Sequence, residues 1–236
     1  MAHSEIVTYI FDDSVPDLAA QFARWMADSP RFKAFVETYR DKIRKKVRGI
    51  RDAEGRSDLQ FELAIAYLLL RERRFTVEYE KYGVGKQRAP DFSVTFKTWM
   101  HFNVEVKRMR AVSPEPRAEE LPGFTKVINT VCEKIGQLPP SVMNILALTA
   151  AGSICTGSDI ALAMKLLKER ADRKDDLFFV RRGFGSARDF LKQYPRLSGI
   201  LFCDTSEQAT AARPVLWLNA QARHPIPTEL ATALRR

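Results

Sequence analysis

The stretch that decides the fold is DFSVTFKTWMHFNVEVKR, which covers residues 91–108. Polar and apolar residues alternate over residues 91–97 and again over residues 101–108. Such alternation, with a period of two residues, is typical of β-strands that bury one face. We therefore expect two strands joined by a short turn around Thr98, as an antiparallel hairpin.

The register of this hairpin follows from its two faces. Folding about Thr98 pairs residues at equal distances on either side, so Asp91 lies opposite Glu105 on a wholly polar face. Phe92 then meets Val104 on a wholly apolar face. A slip by one residue would mix the two faces, so this register is favoured.

Two carboxylates and one ammonium group converge on the polar face, because Lys107 lies two residues beyond Glu105 on the same strand. Like charges directly opposite each other destabilise a sheet, so Asp91 and Glu105 require a compensating cation. One interpretation is a solvated ion pair with Lys107 or another basic residue. The other is a divalent metal, since carboxylate and water oxygens suit Mg²⁺ or Mn²⁺.

A third carboxylate, Glu62, is the sole charged residue of residues 61–70. A helix as apolar as this one is buried on most sides, and a buried charge is costly unless it is paired or bound to a metal. Glu62 is therefore a further candidate metal ligand. The alternative is an acid that faces solvent in the first turn of a helix opening at Ser57, where negative charge is favoured.

The rest of the chain predicts an α/β fold with a central mixed β-sheet flanked by helices. Helices are expected over residues 15–27, 31–50, 57–74, 124–138, 158–171 and 186–193, with a last one from Thr228. Further strands are expected over residues 75–82, 142–149, 177–180, 200–203 and 215–218, with a turn at 83–85 and a loop over 111–123. We interpret residues 1–56 as a helical extension, 57–175 as the core, and 176–236 as an α/β extension packed on it.

Composition and charge narrow the class of protein. The hydrophobic fraction of 45% and charged fraction of 28% are those of a globular domain and argue against collagen-like, disordered or membrane-spanning proteins. No signal peptide is visible, and three scattered cysteines favour a cytoplasmic protein. The net charge of +9 indicates a polyanionic partner, either nucleic acid or an acidic membrane surface.

The basic residues concentrate in two places. Residues 31–51 hold nine of them, and a second patch surrounds Arg181-Arg182. Both patches are candidate phosphate contacts, with an ordinary solvated helix face and surface turn as the alternatives. The candidate nucleic-acid contacts are Lys42, Lys45, Lys46, Arg48, Arg181 and Arg182.

Pro90-Asp91 and Glu105-Val106-Lys107, with Glu62 on the preceding helix, resemble the motif of the PD-(D/E)xK nuclease superfamily. The core of that family, also called the restriction-endonuclease-like fold, is a helix, three strands, a helix and a strand. The order expected here from Ser57 onward is similar. The segments before and after that core have no counterpart in the resemblance, and we interpret them as accessory parts that hold substrate.

The resemblance implies a metal-dependent nuclease that hydrolyses phosphodiester bonds, with DNA expected rather than RNA, no membrane partner, and a homodimer if both strands are cut. It implies that Asp91 and Glu105, completed by Glu62, bind Mg²⁺ or Mn²⁺, and that Lys107 orients the attacking water. One alternative is a catalytically inactive nucleic-acid-binding or assembly module of the same fold. Another is a globular protein in which these charges form a surface ion-pair cluster.

Overall fold

A computed structural model describes residues 3–12, 15–81, 89–110, 123–150, 155–203 and 214–236. The helices in these ranges are α1 His3–Phe11, α2 Pro16–Asp28, α3 Pro30–Arg48, α4 Ala53–Arg71, α5 Gly123–Ile135, α6 Gly157–Asp172, α7 Asp176–Val180, α8 Ala187–Gln193 and α9 Thr228–Leu234. The strands are β1 Phe75–Tyr79, β2 Phe92–Phe96, β3 Met100–Met109, β4 Met143–Ala150, β5 Gly199–Phe202 and β6 Val215–Leu218. No helix within these ranges is both long enough and apolar enough to span a bilayer.

The strands form one mixed sheet in the order β1-β2-β3-β4-β5-β6. The first three strands are antiparallel, β3, β4 and β5 run parallel, and β6 returns antiparallel to β5. The predicted fold class, an α/β protein with a mixed sheet flanked by helices, is confirmed. The segment after residue 175 supplies β5 and β6, so it extends the central sheet.

The expected hairpin register is also confirmed. Phe92 lies opposite Val104 and Ser93 opposite Asn103. Phe92 and Val104 are completely buried, whereas Ser93 and Asn103 are only partly buried. The separation of apolar and polar faces therefore specified the pairing, as expected.

Helices cover both faces of the sheet, each over its own apolar core. One core joins α1, α2, α3, α4 and α9 to the sheet, and the other joins α5, α6, α7 and α8 to its opposite face. Aromatic rings of α3 reach the sheet directly, since Phe35 contacts both Tyr79 of β1 and Phe92 of β2. The helical extension is thus packed against the strands that carry the predicted site.

Three sequence-based expectations for helices and strands were wrong. The helix expected to open at Ser57 begins at Ala53, because the Asp52 side chain caps it by accepting from the Gly55 amide at 2.7 Å. Residues 177–180 belong to a helix and not a strand, because the Asp175 side chain accepts from the Phe178 amide and caps α7. A short apolar run alone does not distinguish the two.

The third error concerns α6, which is capped two residues earlier than predicted. The Thr156 amide donates to the Asp159 carboxylate at 2.7 Å, so Thr156 and not Ser158 precedes the helix. Helix α1 was not anticipated at all. The expected turn at 83–85, and the expected loop up to residue 122, lie outside the described residues.

Candidate active site

The site lies at the start of β2, where the neighbouring strand β3 extends beyond the end of their pairing. The pairing of these strands ends at Phe92 and Val104, while β3 runs on to Met109. The Val106 amide therefore has no β2 partner, and it donates to the Asp91 carboxylate at 2.7 Å. This bond fixes Asp91 in the fork between the two strands.

A cavity of about 440 Å³ opens at this fork. All four predicted catalytic residues line it, although they come from α4, from β3 and from the residue just before β2. The lining residues are Lys46, Asp58, Glu62, Glu80, Ala89, Asp91, Glu105, Val106, Lys107, Arg108 and Lys134. The structure thus brings the four sequence-predicted residues together and adds further charged side chains.

Glu105 is paired with a lysine that the sequence interpretation did not identify. Lys134 of α5 donates to the Glu105 carboxylate at 2.8 Å, and these residues are only 5% and 8% exposed, respectively. Lys107 points instead to Glu133, which is half exposed, at 3.4 Å. The interpretation of Glu105 as part of a solvated ion pair is therefore wrong, because both members of its pair are buried.

Glu62 lies in the interior of α4, and its side chain is 14% exposed. Lys46 of α3 contacts it at 2.5 Å and contacts Glu80 at 2.8 Å. Burial lowers the pKa of Lys46, but the two carboxylates more than offset this, and its pKa is raised above the usual value. The alternative of a first-turn Glu62 facing solvent is wrong, since α4 opens nine residues earlier.

Of the three predicted metal ligands, Asp91 is the one without an ion pair in the described part of the chain. Among the described residues no cationic nitrogen lies within ion-pair distance of it. Its burial, followed by the negative charges of Glu105 and Glu62, raises its pKa from 3.8 to about 7. The cavity therefore favours either a proton on Asp91 or an added cation beside it.

Helix α4 is held against β3 by an arginine cluster, two members of which, Arg108 and Asp58, also line the cavity. The buried Arg108 guanidinium donates to Asp58 at 2.9 Å and pairs with Glu54, and the exposed Arg110 contacts the same two acids. Glu54, Asp58 and Glu62 recur every four residues, so they share one face of α4. This stripe of acids was visible in the sequence and indicates a face turned towards basic residues.

Sequence reasoning missed two cavity residues that pair with predicted site residues: Lys134, which pairs with Glu105, and Glu80, which pairs with Lys46. Lys134 follows the buried Val127 and Val131 by seven and three residues, a spacing that places it on the apolar face of α5. A lysine on an apolar helix face predicts a buried acidic partner, so this residue could have been found from the sequence. Glu80 carried no such signal, because its positive φ of 43° ends the alternation of β1 and redirects its side chain towards Lys46.

Of the six candidate nucleic-acid contacts, three line the cavity or bond to other residues of the protein, and three are exposed. Lys46 lines the cavity, Lys42 donates to the Tyr79 and Glu80 carbonyls at 3.0 and 3.1 Å, and Arg182 donates to Asn129 and to the Phe178 carbonyl. These three side chains have structural partners. The three that are exposed on the surface are Lys45, Arg48 and Arg181.

The carboxylates have the donor chemistry that Mg²⁺ or Mn²⁺ prefers, since Asp91, Glu105 and Glu62 all supply oxygens to one cavity. As placed in the described part of the chain, no three histidine, cysteine, aspartate or glutamate side chains form a group that could hold a metal ion. Lysines contact two of the three acids. The unneutralised charge of Asp91 fits an added cation, and Glu105 could join it as a ligand on release from Lys134.

Comparison with known proteins identifies no relative. No protein-family model, curated protein or solved structure matches the chain. Conclusions about its function therefore depend on the residues of the cavity and their geometry.

Proposed function

We propose that the chain is a metal-dependent nuclease that hydrolyses phosphodiester bonds of DNA, with the fold and motif of the PD-(D/E)xK superfamily. One observation carries the proposal: Asp91, Glu105, Lys107 and Glu62 line a single cavity. They reach it from α4, from the residue just before β2 and from β3, in the order that the resemblance requires.

Asp91 and Glu105, with Glu62 beside them, would hold Mg²⁺ or Mn²⁺. When bound, such an ion polarises a phosphoryl oxygen and makes a bound water more acidic. The Val106 amide keeps the Asp91 carboxylate in the fork, so one ligand is already oriented before the ion arrives. Preorganisation of this kind lowers the cost of assembling a reactive centre.

Lys107 is the group that we expect to act on substrate. Its ammonium lines the cavity, and its pairing with Glu133 is half exposed and loose, at 3.4 Å. Exposed pairs of this sort contribute little, so the ammonium can turn from Glu133 to a phosphate oxygen or an attacking water at small cost. A positive charge there stabilises the negative charge that develops on the phosphoryl oxygens.

The surface beside the cavity suits a polyanion. Lys45 and Arg48 are exposed in the last turns of α3, next to Lys46, which lines the cavity. We infer that these residues, with Arg181, contact the nucleic-acid backbone, and that the substrate is DNA rather than RNA. Cytoplasmic location and assembly as a homodimer for double-strand cleavage belong to the same proposal.

A second candidate function has an observation in its favour. Glu62 and Glu105 are both contacted by lysines, which is the arrangement expected of a nucleic-acid-binding or assembly module that has the fold but no metal. Such a module would bind DNA in EDTA with the same affinity as in Mn²⁺. Its binding would also be indifferent to loss of the Asp91 carboxylate.

Cleavage assays separate the two functions. Plasmid, single-stranded DNA and RNA are incubated with the protein in Mg²⁺, in Mn²⁺ and in EDTA. We expect cleavage in the divalent ions only, and a loss of about 100-fold or more in Lys107→Ala and Asp91→Asn. Lys165→Ala, an exposed lysine on α6, serves as the control and should cut at the wild-type rate.

Metal-independent cleavage, or equal rates in wild type and Lys107→Ala, would contradict the proposed nuclease. Absence of cleavage together with DNA binding that survives in EDTA would instead favour the second candidate. Cleavage and DNA binding are measured on the same protein preparations. Circular dichroism spectra of wild type and variants then show whether any variant is misfolded.

A further inference from the structure

The pair of Lys134 and Glu105 is unusual for its burial. Both side chains are at most 10% exposed, and the ammonium lies 2.8 Å from the carboxylate. Burying two charges is expensive, and such pairs are weak contributors to stability compared with apolar residues of similar size. At a position on the apolar face of α5, leucine would stabilise the fold more than lysine does. Packing alone therefore does not explain why this residue is a lysine.

The position of Lys134 coincides with the position of a metal ligand. Glu105 is one of the two principal carboxylates of the proposed metal centre, and Lys134 contacts its Oε1 oxygen. An ammonium and a divalent cation both neutralise the same carboxylate and use the same oxygen lone pairs. Each therefore weakens the binding of the other, by the same factor in both directions.

We propose that Lys134 is an internal counter-ion of Glu105 that competes with the divalent cation and thereby sets its affinity. This inference rests on the proposed metal centre and goes beyond it, because Lys134 is no part of the motif. In the metal-free protein Lys134 keeps Glu105 neutralised and the fold intact. On loading, the ammonium leaves Oε1 and the ion takes its place.

The cavity contains a natural comparison for this role. Lys107 carries the same charge and lines the same cavity, but it pairs with Glu133 and not with Glu105. Removing either lysine raises the negative charge around the centre by one unit. Only the removal of Lys134 also frees a ligand oxygen, so the two substitutions distinguish direct competition from general electrostatics.

The test is calorimetric titration of the full chain with MnCl₂ in the absence of nucleic acid. We expect the Kd of Lys134→Gln to be at least about tenfold lower than that of wild type, within the range of ordinary coupling between ligands. Lys107→Gln should change the Kd by less than about threefold, as expected for a solvent-screened charge. Glu105→Gln should abolish the binding, which assigns the titrated site.

Lys134→Arg provides an independent variant that keeps the buried pair and protects the fold. Guanidinium binds a carboxylate with two parallel bonds, so it should hold Glu105 more firmly and raise the Kd by about threefold or more. Melting curves provide a second measurement. Without metal, Lys134→Gln should melt below wild type, and Mn²⁺ should raise its melting temperature by more.

Two results would overturn the inference in distinguishable ways. If wild type binds Mn²⁺ and Lys134→Gln binds it with the same Kd, or if Lys107→Gln gains as much, Lys134 is no competitor while the metal centre stands. If neither wild type nor any variant binds Mn²⁺, the proposed function and the inference both fail.

Discussion

Asp91 is buried, and the negative charges of neighbouring carboxylates disfavour its ionised form. Its pKa of about 7 lies above its usual value of 3.8, because of burial and then because of Glu105 and Glu62. The folded protein therefore binds the Asp91 proton more tightly than the unfolded chain does. The stability that this proton contributes is fully present below about pH 4 and is lost as the pH rises towards 7.

Asp91→Asn removes this titration and keeps an oxygen that accepts from the Val106 amide. In EDTA at pH 8 we expect the variant to exceed wild type in free energy of unfolding by at least about 1.4 kcal/mol, the equivalent of one pKa unit. The difference should shrink as the pH falls to 4.5. Urea denaturation at three pH values measures it, and a difference that does not vary with pH would contradict the assignment.

The same titration governs metal affinity. A carboxylate must lose its proton to ligate a cation, so binding of Mn²⁺ should release a proton at pH values below the pKa of Asp91. We expect the apparent affinity to rise about tenfold per pH unit from pH 5.5 to about 7 and then to level off. Titration calorimetry across this range checks the slope, and an affinity independent of pH would rule out Asp91 as the ligand that titrates.

At the scale of elements, the β2–β3 hairpin could be predicted from sequence. The start of α4 and the contact between α5 and β3 could not. Alternation between Phe92 and Val104 leaves only one register that separates apolar from polar residues, so local pattern was sufficient. The start of α4 depended on which of two polar residues caps it, and Asp52 prevailed over Ser57. Periodicity placed Lys134 on a buried face, but only the packing of α5 on β3 shows that its partner is Glu105.

The junction between α4 and β3 gives a prediction at this scale. Arg108→Ala should lower the free energy of unfolding by about 2 kcal/mol, because a buried guanidinium that bonds to two carboxylates is lost. Arg110→Ala is the matched control, since Arg110 contacts the same acids but is 56% exposed. Its substitution should cost less than about 1 kcal/mol.

Urea denaturation of both variants at pH 7 makes the comparison. Equal losses for Arg108→Ala and Arg110→Ala would mean that burial does not distinguish the two arginines.

At the scale of the whole molecule, the two helical layers and the single sheet make one framework for the cavity. Helix α3 from one layer supplies Lys46, and α5 from the other supplies Lys134. The excess of positive charge predicted from composition is distributed around this locally acidic centre. Lys45 and Arg48 present part of it beside the cavity.

DNA binding by a cleavage-deficient Asp91→Asn protein in EDTA should depend on salt through the backbone contacts. Replacing both Lys45 and Arg48 with glutamine should reduce the slope of log K against log salt by about 1.8, the effect of two phosphate contacts. The pair Lys165→Gln and Lys168→Gln on α6 removes the same net charge and should leave the slope unchanged. Equal effects of the two pairs would indicate non-specific attraction.

The most direct test of the metal centre is an anomalous difference map from crystals soaked in Mn²⁺. We predict one peak in the cavity, about 2 Å from an oxygen of Asp91 and an oxygen of Glu105, with the Lys134 ammonium displaced from Glu105. A cavity without a peak, in which Lys134 still contacts Glu105 at saturating Mn²⁺, would contradict the proposed metal-dependent nuclease.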